Sequence, residues 1–483
     1  MTQTAFEAAK HPYVKWAKFN GRLLMLGFGA IGQGVLPLLL RHIDLAPERI
    51  AILSPGGQGR DLAAAQGVGL EDLTLTPENY ASVLAARLGP GDFLLNLSLN
   101  VSSADLVQWC RARGVLYLDA CISPWEGGWS DPDLAPLDRS NLALRQGMQP
   151  LRQGAGSLPT AVVAHGVNPG LVSHFVKQVL LNLAGDLHPG VVVPGTREDW
   201  ARLAQALGGR AIHIAERDTQ TSPSRKQPGE FVNTWSVEGF IGEACQQPAE
   251  LGWGSHERQL PLGAIAHGQG HQAAVMLPRP GAATRVRSWT PLAGPYQGFL
   301  VTHEESFSLA EYLTLSQRGE VLYRPTVHYT YYPCDDAVLS LHEMAGRNWE
   351  PLPRQRILAA GEIDAGMDEL GVLLLGHART AYWYGSRLTI DQARALCPCN
   401  NATTLQTTAG VLGGVVWAMR HPRAGLVDPD EMDFTEVLAV ATPYLGEMVG
   451  IYGDWTPLQG RNRLFPEVLD LDDPWQFSNV LVG

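Results

Sequence analysis

The feature that most constrains the fold is a glycine-rich turn between an apolar strand and a helical segment. Residues 21–35 read GRLLMLGFGAIGQGV, so the apolar run Leu23 to Leu26 leads directly into a GxGxxG motif. In such a strand–turn–helix unit the first glycine permits the turn, the second admits a pyrophosphate, and the third lets the helix pack closely. Free N–H groups at the helix start favour phosphate. The motif predicts a dinucleotide site rather than a glycine-rich packing turn, with cofactor contacts at Gly27, Gly29, Ala30, Ile31 and Gly32.

The end of the second predicted strand leaves the choice between NAD and NADP open. An NAD site normally places an acid there, which binds the ribose hydroxyls. In this chain Ser54 follows the strand Ile50 to Leu53, and Arg60 is close enough in sequence to favour a 2′-phosphate. Ser54 is a predicted cofactor contact because it stands where the acid is expected.

Strands and helices continue to alternate up to about residue 185. The segments GDFLLNLSLN, VLYLDACI and PTAVVAHG read as strands, whereas DLVQWCRARG and LVSHFVKQVLLNL read as helices. This alternation predicts a parallel, doubly wound sheet of the Rossmann type, with its ligand crevice at the C-terminal ends of the strands. The side chains expected at that crevice are Asn96, Ser98, Asn100, Cys121, Trp125, Glu126, His165 and Asn168. Of these, Asn96, Ser98 and Asn168 are predicted cofactor contacts.

A second domain is predicted beyond the alternating region. From about residue 190 strand-like segments dominate, among them RAIHIAERDTQ, FVNTWSVEGF and YQGFLVTHEES, and they favour an α+β domain with a mainly antiparallel sheet. Near residue 395 the pattern turns helical again, with small residues that permit close helix packing. We therefore expect a Rossmann domain over 1–170, an α+β domain over 171–394, and helices of 395–483 that return to the Rossmann domain.

Composition narrows the class of protein. Hydrophobic residues make up 45% of the 483 residues and the formal net charge is −12, which argues against a nucleic-acid partner and suits a cationic ligand. No apolar run reaches the roughly 20 residues of a membrane span, and the first residues lack the apolar core of a signal peptide. The six cysteines form no metal-binding pattern, because the thiols of Cys397 and Cys399 lack a third ligand nearby. These observations predict a cytoplasmic enzyme without a metal.

The second predicted domain carries acids and an indole in polar surroundings. Glu216 and Asp218 lie in ERDTQ, Trp235 and Glu238 in NTWSVEG, and Glu243 shortly after. An indole face attracts a cation, and carboxylates can bind or relay protons at ammonium groups. The alternative is structural: on an alternating strand Trp235 would pack in a core or an interface, and Glu238 would face water.

A histidine follows the strand Gly298 to Val301. His303 precedes Glu304 and Glu305, and imidazole is the side chain best matched to proton transfer near neutral pH. The alternative is a surface histidine beside two acids.

The chain resembles a known enzyme family over almost its whole length. The stretches GFGAIGQGVLPLL, AHGVNPGLVSHFVKQ, IHIAERDTQ, VNTWSVEGF and NATTLQTTAGVLGGVVWAM are similar to those of bacterial homospermidine synthases, which belong to the saccharopine-dehydrogenase-like group. The ERDTQ and NTWSVEG motifs are far more specific than the glycine-rich turn.

The resemblance implies a homodimeric enzyme that joins two putrescine units and releases ammonia, or takes the aminobutyl group from spermidine. It implies NAD as a recycled prosthetic group and cationic imine intermediates. By resemblance Trp235 is the cation–π residue, Glu216 and Glu243 bind or relay protons, Asn168 lies near the nicotinamide, and His303 is an acid/base candidate. The further expected substrate contacts are Asn100, Glu126, Asp218 and Glu238.

The chain departs from the family pattern at Ser123, where an acid is expected before the Pro124-Trp125 pair. Either Glu126 compensates for this difference, or the handling of the substrate differs. Two other functions stay open: an NAD(P)H-dependent reductive aminase of the saccharopine or carboxynorspermidine type, and a non-catalytic dinucleotide-binding protein. The first would need convergent arginines for a carboxylate substrate, and ERDTQ and NTWSVEG offer only Arg217.

Overall fold

Two large sheets organise the chain. The structure, a computed structural model, describes residues 13–153, 157–188, 190, 192–268 and 273–482. The elements of the first part are β1 Ala17–Lys18, β2 Leu23–Leu26, α1 Ala30–His42, β3 Ile43–Asp44, β4 Ile50–Leu53, α2 Arg60–Ala65, β5 Gly69–Glu71, α3 Tyr80–Ala85, β6 Phe93–Asn96, α4 Ser103–Arg113, β7 Leu116–Asp119, α5 Asn141–Met148 and β8 Ala161–Val162.

The remaining elements follow the turn after β8. They are α6 Leu171–Leu187, α7 Arg197–Ala206, β9 Ala211–Asp218, β10 Glu230–Asn233, α8 Val237–Ile241, β11 Pro248–Gly252, β12 Ile265–His267, β13 Ala274–Pro280, β14 Arg285–Thr290, β15 Gly294–Val301, α9 Glu305–Tyr312, β16 Leu315–Gln317, β17 Glu320–Tyr323, β18 Thr326–Tyr332, α10 Asp335–Gly346, β19 Arg354–Ile357, β20 Met367–Leu375, β21 Ala381–Thr389, α11 Ile390–Leu396, α12 Ala402–Arg420, β22 Leu426–Val427, α13 Phe434–Ala441, β23 Glu447–Gly453 and α14 Phe477–Val480.

The first sheet confirms the predicted doubly wound fold. Its seven strands run in the order β22-β8-β7-β6-β2-β4-β5, and neighbouring strands are parallel. Every residue of β2, β6 and β7 is buried, as expected for strands covered by helices on both faces. The strand order reverses between β2 and its neighbours β4 and β6, which is the position where such sheets bind ligands.

The second sheet is the predicted, mainly antiparallel one. Eight of its ten strands follow the order β12-β13-β11-β18-β9-β20-β21-β23, and the hairpin β14–β15 joins through β15 to β18. Within the described residues, β9 and β18 form the one parallel pair of this sheet. These two central strands carry Glu216 and Tyr329 to the end of the sheet that faces the first domain.

The C-terminal segment serves both sheets. Helix α12 packs against α1 and β7, and a Cβ on Gly410 would collide with the carbonyl oxygen of Gly166, so the small side chain allows this close approach. Strand β22 pairs with β8, whereas β23 pairs with β21 at the edge of the second sheet. The segment is therefore not only helical. The division at residues 170 and 394 stays a prediction.

The prediction of a strand over FVNTWSVEGF is wrong for the second half of this stretch. Strand β10 ends at Asn233, and Trp235 lies in a bend before α8. The cause is local, because the Ser236 hydroxyl accepts the N–H of Gly239 at 3.1 Å and caps the helix. A π-helical turn, Gly242–Gln246, then extends α8 and carries Glu243. Trp235 is thus not on an alternating strand.

Over the described ranges, no helix combines the length and apolarity that a bilayer span requires.

Candidate active site

A cavity of about 290 Å³ lies between the strand ends of the first domain and the α8 region of the second. The first domain contributes the loops after β6 and β7, and the second contributes α8, the π-helical turn and the loop after β15. The described residues that line it are Leu99, Asn100, Cys121, Ile122, Ser123, Glu126, Gly127, Trp129, Ser130, Asn141, Glu238, Gly239, Ile241, Gly242, Glu243, Gln246, Thr302, His303, Glu304, Pro351 and Gln355.

Most of the ionisable side chains of this cavity are acidic. Its described lining holds four glutamates and one histidine but no lysine or arginine. Carboxylates crowded in a partly closed space repel one another unless a cation or protons neutralise them. The cavity is therefore built for a positively charged ligand.

Four predicted residues form one chain of hydrogen bonds beside the cavity. The Asn168 amide donates to Glu216 Oε2 over 3.4 Å, and Asn168 Oδ1 lies 2.8 Å from His303 Nδ1. His303 Nε2 lies 2.9 Å from Glu243 Oε2. Asn168 follows β8 of the first sheet and Glu216 lies on β9 of the second, so this chain links the ends of the two sheets. It brings together residues that are up to 135 positions apart.

The surroundings of His303 favour the doubly protonated ring. Burial lowers its pKa, but the carboxylates of Glu243, Glu304 and Glu305 outweigh this effect, so the pKa of His303 is raised. Both ring nitrogens face acceptor oxygens, and an imidazolium can donate to both. A histidine held in this way can donate a proton to a bound group and recover it.

Glu216 is a buried acid with several acidic neighbours. Its Oε2 accepts the Tyr329 hydroxyl at 2.6 Å. Burial raises the pKa of Glu216, and the Tyr329 hydrogen bond partly opposes this effect. Burial likewise raises the pKa of Asp218 and of Asp368, which pair across β9 and β20. A carboxylate whose pKa is raised in this way is suited to accept a proton near neutral pH.

The Trp235 ring begins an aromatic row that leads to Glu216. Its Nε1 donates to the Tyr331 hydroxyl over 3.2 Å, and the Tyr331 ring stacks on Tyr329 with centroids 5.4 Å apart. The Tyr329 ring in turn lies 4.9 Å from the His303 ring. Trp235 is half-buried and backs Gly239, which lines the cavity.

The other predicted substrate contacts divide into two groups. Asn100 Nδ2 donates to Glu238 Oε1 at 2.6 Å where the two domains meet at the cavity, and Glu126 lies on the same lining. Asp218 is not on the lining, because its two oxygens accept from the Thr234 hydroxyl at 2.7 Å and the Gln220 N–H at 2.8 Å. Asp218 therefore stands behind the site in the core of the second domain.

The glycine-rich turn has the shape that a dinucleotide needs. Gly27 has φ +82°, and a Cβ there would lie 2.7 Å from the carbonyl oxygen of Leu97. A Cβ on Gly32 would lie 2.7 Å from the carbonyl oxygen of Gly27, whereas one on Gly29 would meet nothing within 4 Å. The turn is tight at both ends and open at Gly29, where helix α1 begins with Ala30 and Ile31. This geometry fits a bound pyrophosphate.

The polar residues around this turn brace one another. The Ser54 hydroxyl accepts the N–H of Phe28 at 3.2 Å, and Asn96 Oδ1 accepts the Ser98 hydroxyl at 2.6 Å. Ser54 and Asn96 are buried, so they hold the turn in place, and Ser98 is the more accessible of the three. The Arg60 guanidinium donates to the Leu70 carbonyl at 2.9 Å.

Several site residues lack a strong local signal in the sequence. Glu304 lies on the cavity lining, Tyr329 and Tyr331 form the aromatic row, and Asp368 joins the acid cluster. Tyr329 and Tyr331 are two positions apart in YTYY, a spacing that predicts both rings on one face of a strand. Asp368 stands in an otherwise ordinary strand segment. No group of three or more metal-ligating side chains is found in the described part of the chain.

Two family matches cover most of the chain. Residues 23–162 match the saccharopine dehydrogenase NADP binding domain, and residues 166–454 match the saccharopine dehydrogenase C-terminal domain.

Closely similar proteins share one name. The homospermidine synthase of Blastochloris viridis is 51% identical over 96% of this chain and 98% of that protein, and that of Mesorhizobium japonicum is 47% identical over 97% of each. A crystal structure of the homospermidine synthase from Legionella pneumophila in complex with NAD has a TM-score of 0.90 at 44% identity, covering 96% of this chain and 98% of that one. Saccharopine dehydrogenase from Saccharomyces cerevisiae, at a TM-score of 0.50 and 10% identity, shares the fold alone.

Proposed function

The chain belongs to the homospermidine synthases of the saccharopine-dehydrogenase-like group, and we propose that it transfers a 4-aminobutyl group from putrescine or spermidine to putrescine. The products would be homospermidine and either ammonia or 1,3-diaminopropane. The observation that carries this proposal is the cavity lining, which holds four glutamates and no lysine or arginine. A diamine is a dication, and it would neutralise carboxylates that otherwise repel one another.

The cofactor of the proposed reaction is NAD, as in the similar Legionella protein. Its pyrophosphate would lie against Gly29 and the start of α1, with Ser54, Asn96 and Ser98 bracing the turn. When bound, NAD supplies a hydride acceptor for the carbon beside an amine and, once reduced, a hydride donor for an imine. The redox state of the cofactor is therefore unchanged overall.

Glu216 would take the proton that must leave the reacting ammonium group. An amine can lose a hydride from its carbon only after the nitrogen has a free lone pair, so a base is needed. Burial raises the pKa of Glu216, and the Tyr329 hydrogen bond keeps its carboxylate oriented. The amide of Asn168 would fix the same carboxylate from the side of the first domain.

Trp235 would stabilise the cationic intermediates. The first iminium ion and the protonated form of the later imine both share their positive charge between nitrogen and carbon, and a hydrogen-bond acceptor at the nitrogen does not reach the carbon. An aromatic face attracts such a charge by roughly 0.5–2 kcal/mol. The hydrogen bond to Tyr331 and the contact with Phe240, 5.5 Å between ring centroids, would hold this face in place.

His303 would act on the leaving amine. Its imidazolium could protonate the departing nitrogen, and Glu243 would stabilise the charged ring before the transfer. The partly closed cavity would limit the access of water, which otherwise hydrolyses the imine to an aldehyde. Asn100, Glu126 and Glu238 would guide the second diamine at the entrance.

The cavity argues against a reductive aminase that acts on an amino acid. Such a substrate carries carboxylates, which need lysine or arginine partners. The described lining of the cavity offers acids in their place.

We also infer a homodimer located in the cytoplasm. Support for the dimer comes from a run of exposed apolar side chains near the C-terminus, in which Leu464, Phe465 and Val468 are 86%, 76% and 100% exposed. A second copy would cover them. Light scattering after size-exclusion chromatography measures the mass, and a monomer of 52.4 kDa would contradict the dimer.

The proposed reaction is tested with purified protein, putrescine and a catalytic amount of NAD. We expect homospermidine by mass spectrometry, one ammonia for each homospermidine, and no net NADH. Spermidine as donor should release 1,3-diaminopropane. Stoichiometric build-up of NADH, or the absence of homospermidine, would rule out the proposed function.

A further inference from the structure

We propose that Glu304 is a substrate-binding residue whose carboxylate holds an ammonium group of the diamine in the cavity. This inference rests on the proposed function. Glu304 follows His303 after β15, and both line the cavity. None of the roles in the proposed reaction yet uses it.

The position of Glu304 distinguishes it from the other acids of the lining. Glu126 and Glu238 are exposed, and Glu243 is engaged by His303. Glu304 is 4% exposed. It is the deeply buried glutamate of the lining, where water contributes least to stabilising a charge.

One contact fixes the direction of the Glu304 side chain. Its Oε1 accepts the N–H of Ile122 over 3.2 Å, which ties the loop after β15 to the loop after β7. Ser123, the next residue of that loop, lies on the same lining. The carboxylate is thus held at the junction of the two domains and turned towards the cavity.

The one cationic side chain shown to act on Glu304 among the described residues is the neighbouring His303, which also contacts Glu243. No lysine or arginine of the cavity lining is available to pair with Glu304. Burial raises the pKa of Glu304 to about 7, and the nearby carboxylates of Glu243 and Asp119 add to this effect against the opposing charge of His303. An arriving ammonium group would favour the ionised form, so substrate binding would release a proton.

The neighbouring serine provides a direct way to test this assignment. Glu304→Gln keeps an oxygen that can accept from Ile122 but removes the charge. In the double variant Ser123→Glu/Glu304→Gln, a carboxylate returns to the lining from the adjacent loop. A residue that serves only to join the two domains would gain nothing from the second change, whereas a binding charge would be restored.

The experiment measures the KM for putrescine, the Kd for NAD and the thermal midpoint of each variant. We expect Glu304→Gln to raise the KM by about 10- to 100-fold, the loss of one charge-assisted hydrogen bond, with the Kd for NAD unchanged. The double variant should recover at least a third of the wild-type kcat/KM. Glu257→Gln, which changes another acid with a covered side chain away from the cavity, is the matched control and should keep the wild-type KM.

Proton release gives a second measurement that does not depend on turnover. Titration calorimetry of putrescine into the NADH-loaded wild-type protein at pH 7, in two buffers of different ionisation enthalpy, counts the protons released. The reduced cofactor cannot accept a hydride, so putrescine binds without reacting. We expect fewer protons from Glu304→Gln. An unchanged KM with unchanged proton release would overturn the inference, and so would an equal weakening of NAD and putrescine binding. A wild-type protein that makes no homospermidine would instead contradict the proposed function.

Discussion

His303 Nδ1 lies 2.8 Å from Asn168 Oδ1, and this contact joins the ends of the two sheets beside the cavity. Asn168 follows the last strand of the first domain's alternating region, whereas His303 follows a hairpin strand of the second. The histidine can meet Glu243 at the same time, since its two nitrogens point to opposite sides of the ring. The His303 ring is therefore oriented by contacts on both of its nitrogens.

The ring face of Trp235 is expected to matter more than its hydrogen bond. Trp235→Ala should lower kcat/KM for putrescine by about 2- to 30-fold relative to Trp235→Phe, because cation–π stabilisation is lost only in the alanine variant. Both variants lose the bond to Tyr331, so this bond cancels in the comparison. Steady-state kinetics of the two proteins measures the difference, and equal losses would indicate a packing role.

Glu216→Gln is expected to lower kcat by about 100-fold or more without unfolding the protein, because the proposed base is lost. Burial raises the pKa of Glu216, so its replacement by a neutral amide relieves a cost of ionisation at pH 8. Kinetics with far-UV circular dichroism and the thermal midpoint tests this prediction. Full activity would remove Glu216 from the site.

Tyr329→Phe is expected to shift the acidic limb of the pH–rate profile to higher pH. The Tyr329 hydroxyl stabilises the ionised form of Glu216, so its loss raises the pKa of that carboxyl further. The limb of kcat/KM should shift to higher pH while the alkaline limb stays. Tyr323→Phe is the control, because this buried hydroxyl has no hydrogen-bond partner among the described residues. Identical profiles for both variants would contradict the assignment.

Substitutions at two glycines of the turn should have different effects, one on NAD binding and the other on stability. Gly29→Val should weaken NAD binding by at least about tenfold while leaving the thermal midpoint near wild type, because its side chain enters open space at the predicted pyrophosphate position. Gly32→Ala should lower the thermal midpoint, because its Cβ would lie 2.7 Å from a backbone oxygen. Fluorescence titration of NAD and thermal melts separate the two effects. Tight NAD binding by the valine variant would exclude Gly29 from the site.

Glu257 is expected to contribute to a loss of stability with rising pH. Burial raises its pKa in the folded state to about 7 from 4.5. Its contribution is fully present below the unfolded pKa and is lost as the pH rises through 7, because the folded state must then ionise a buried acid. Glu257→Gln should therefore reduce the fall in the free energy of unfolding between pH 5 and pH 8 by about 2–3 kcal/mol. Urea denaturation at the two pH values measures it, and parallel pH dependences would refute it.

The parts of the fold that depend on local periodicity were predictable. The buried runs of β2, β6 and β7 and the turn at Gly27 identify the Rossmann sheet, because each signal lies within a few consecutive residues. The bend at Trp235 was not predictable from periodicity, because the helix cap at Ser236 competes there with strand-forming neighbours. Strand β23 pairs with a strand some 60 residues earlier, and this pairing decides its conformation.

The residues of the candidate site were likewise predictable only in part. Glu216, Trp235, Glu243 and His303 stand out through residue type and motif. The side chains of Glu304, Tyr329 and Asp368 carry the same chemistry, but their relevance depends on which strand ends face the cavity. Asp218 shows the converse case, because its motif suggested a substrate contact and its hydrogen bonds direct it into the core.

The sequence by itself determined the doubly wound first sheet, the dinucleotide turn and the acids and aromatic groups available for a cationic substrate. Only the tertiary structure decided which of these acids share one cavity and which stay in the core. The reason is physical: periodicity and turn chemistry act over a few residues, whereas the pKa of a carboxyl depends on neighbours that folding brings from distant strands. Glu304 and Ser123 meet at the lining because β15 and β7 end at the same junction between the domains.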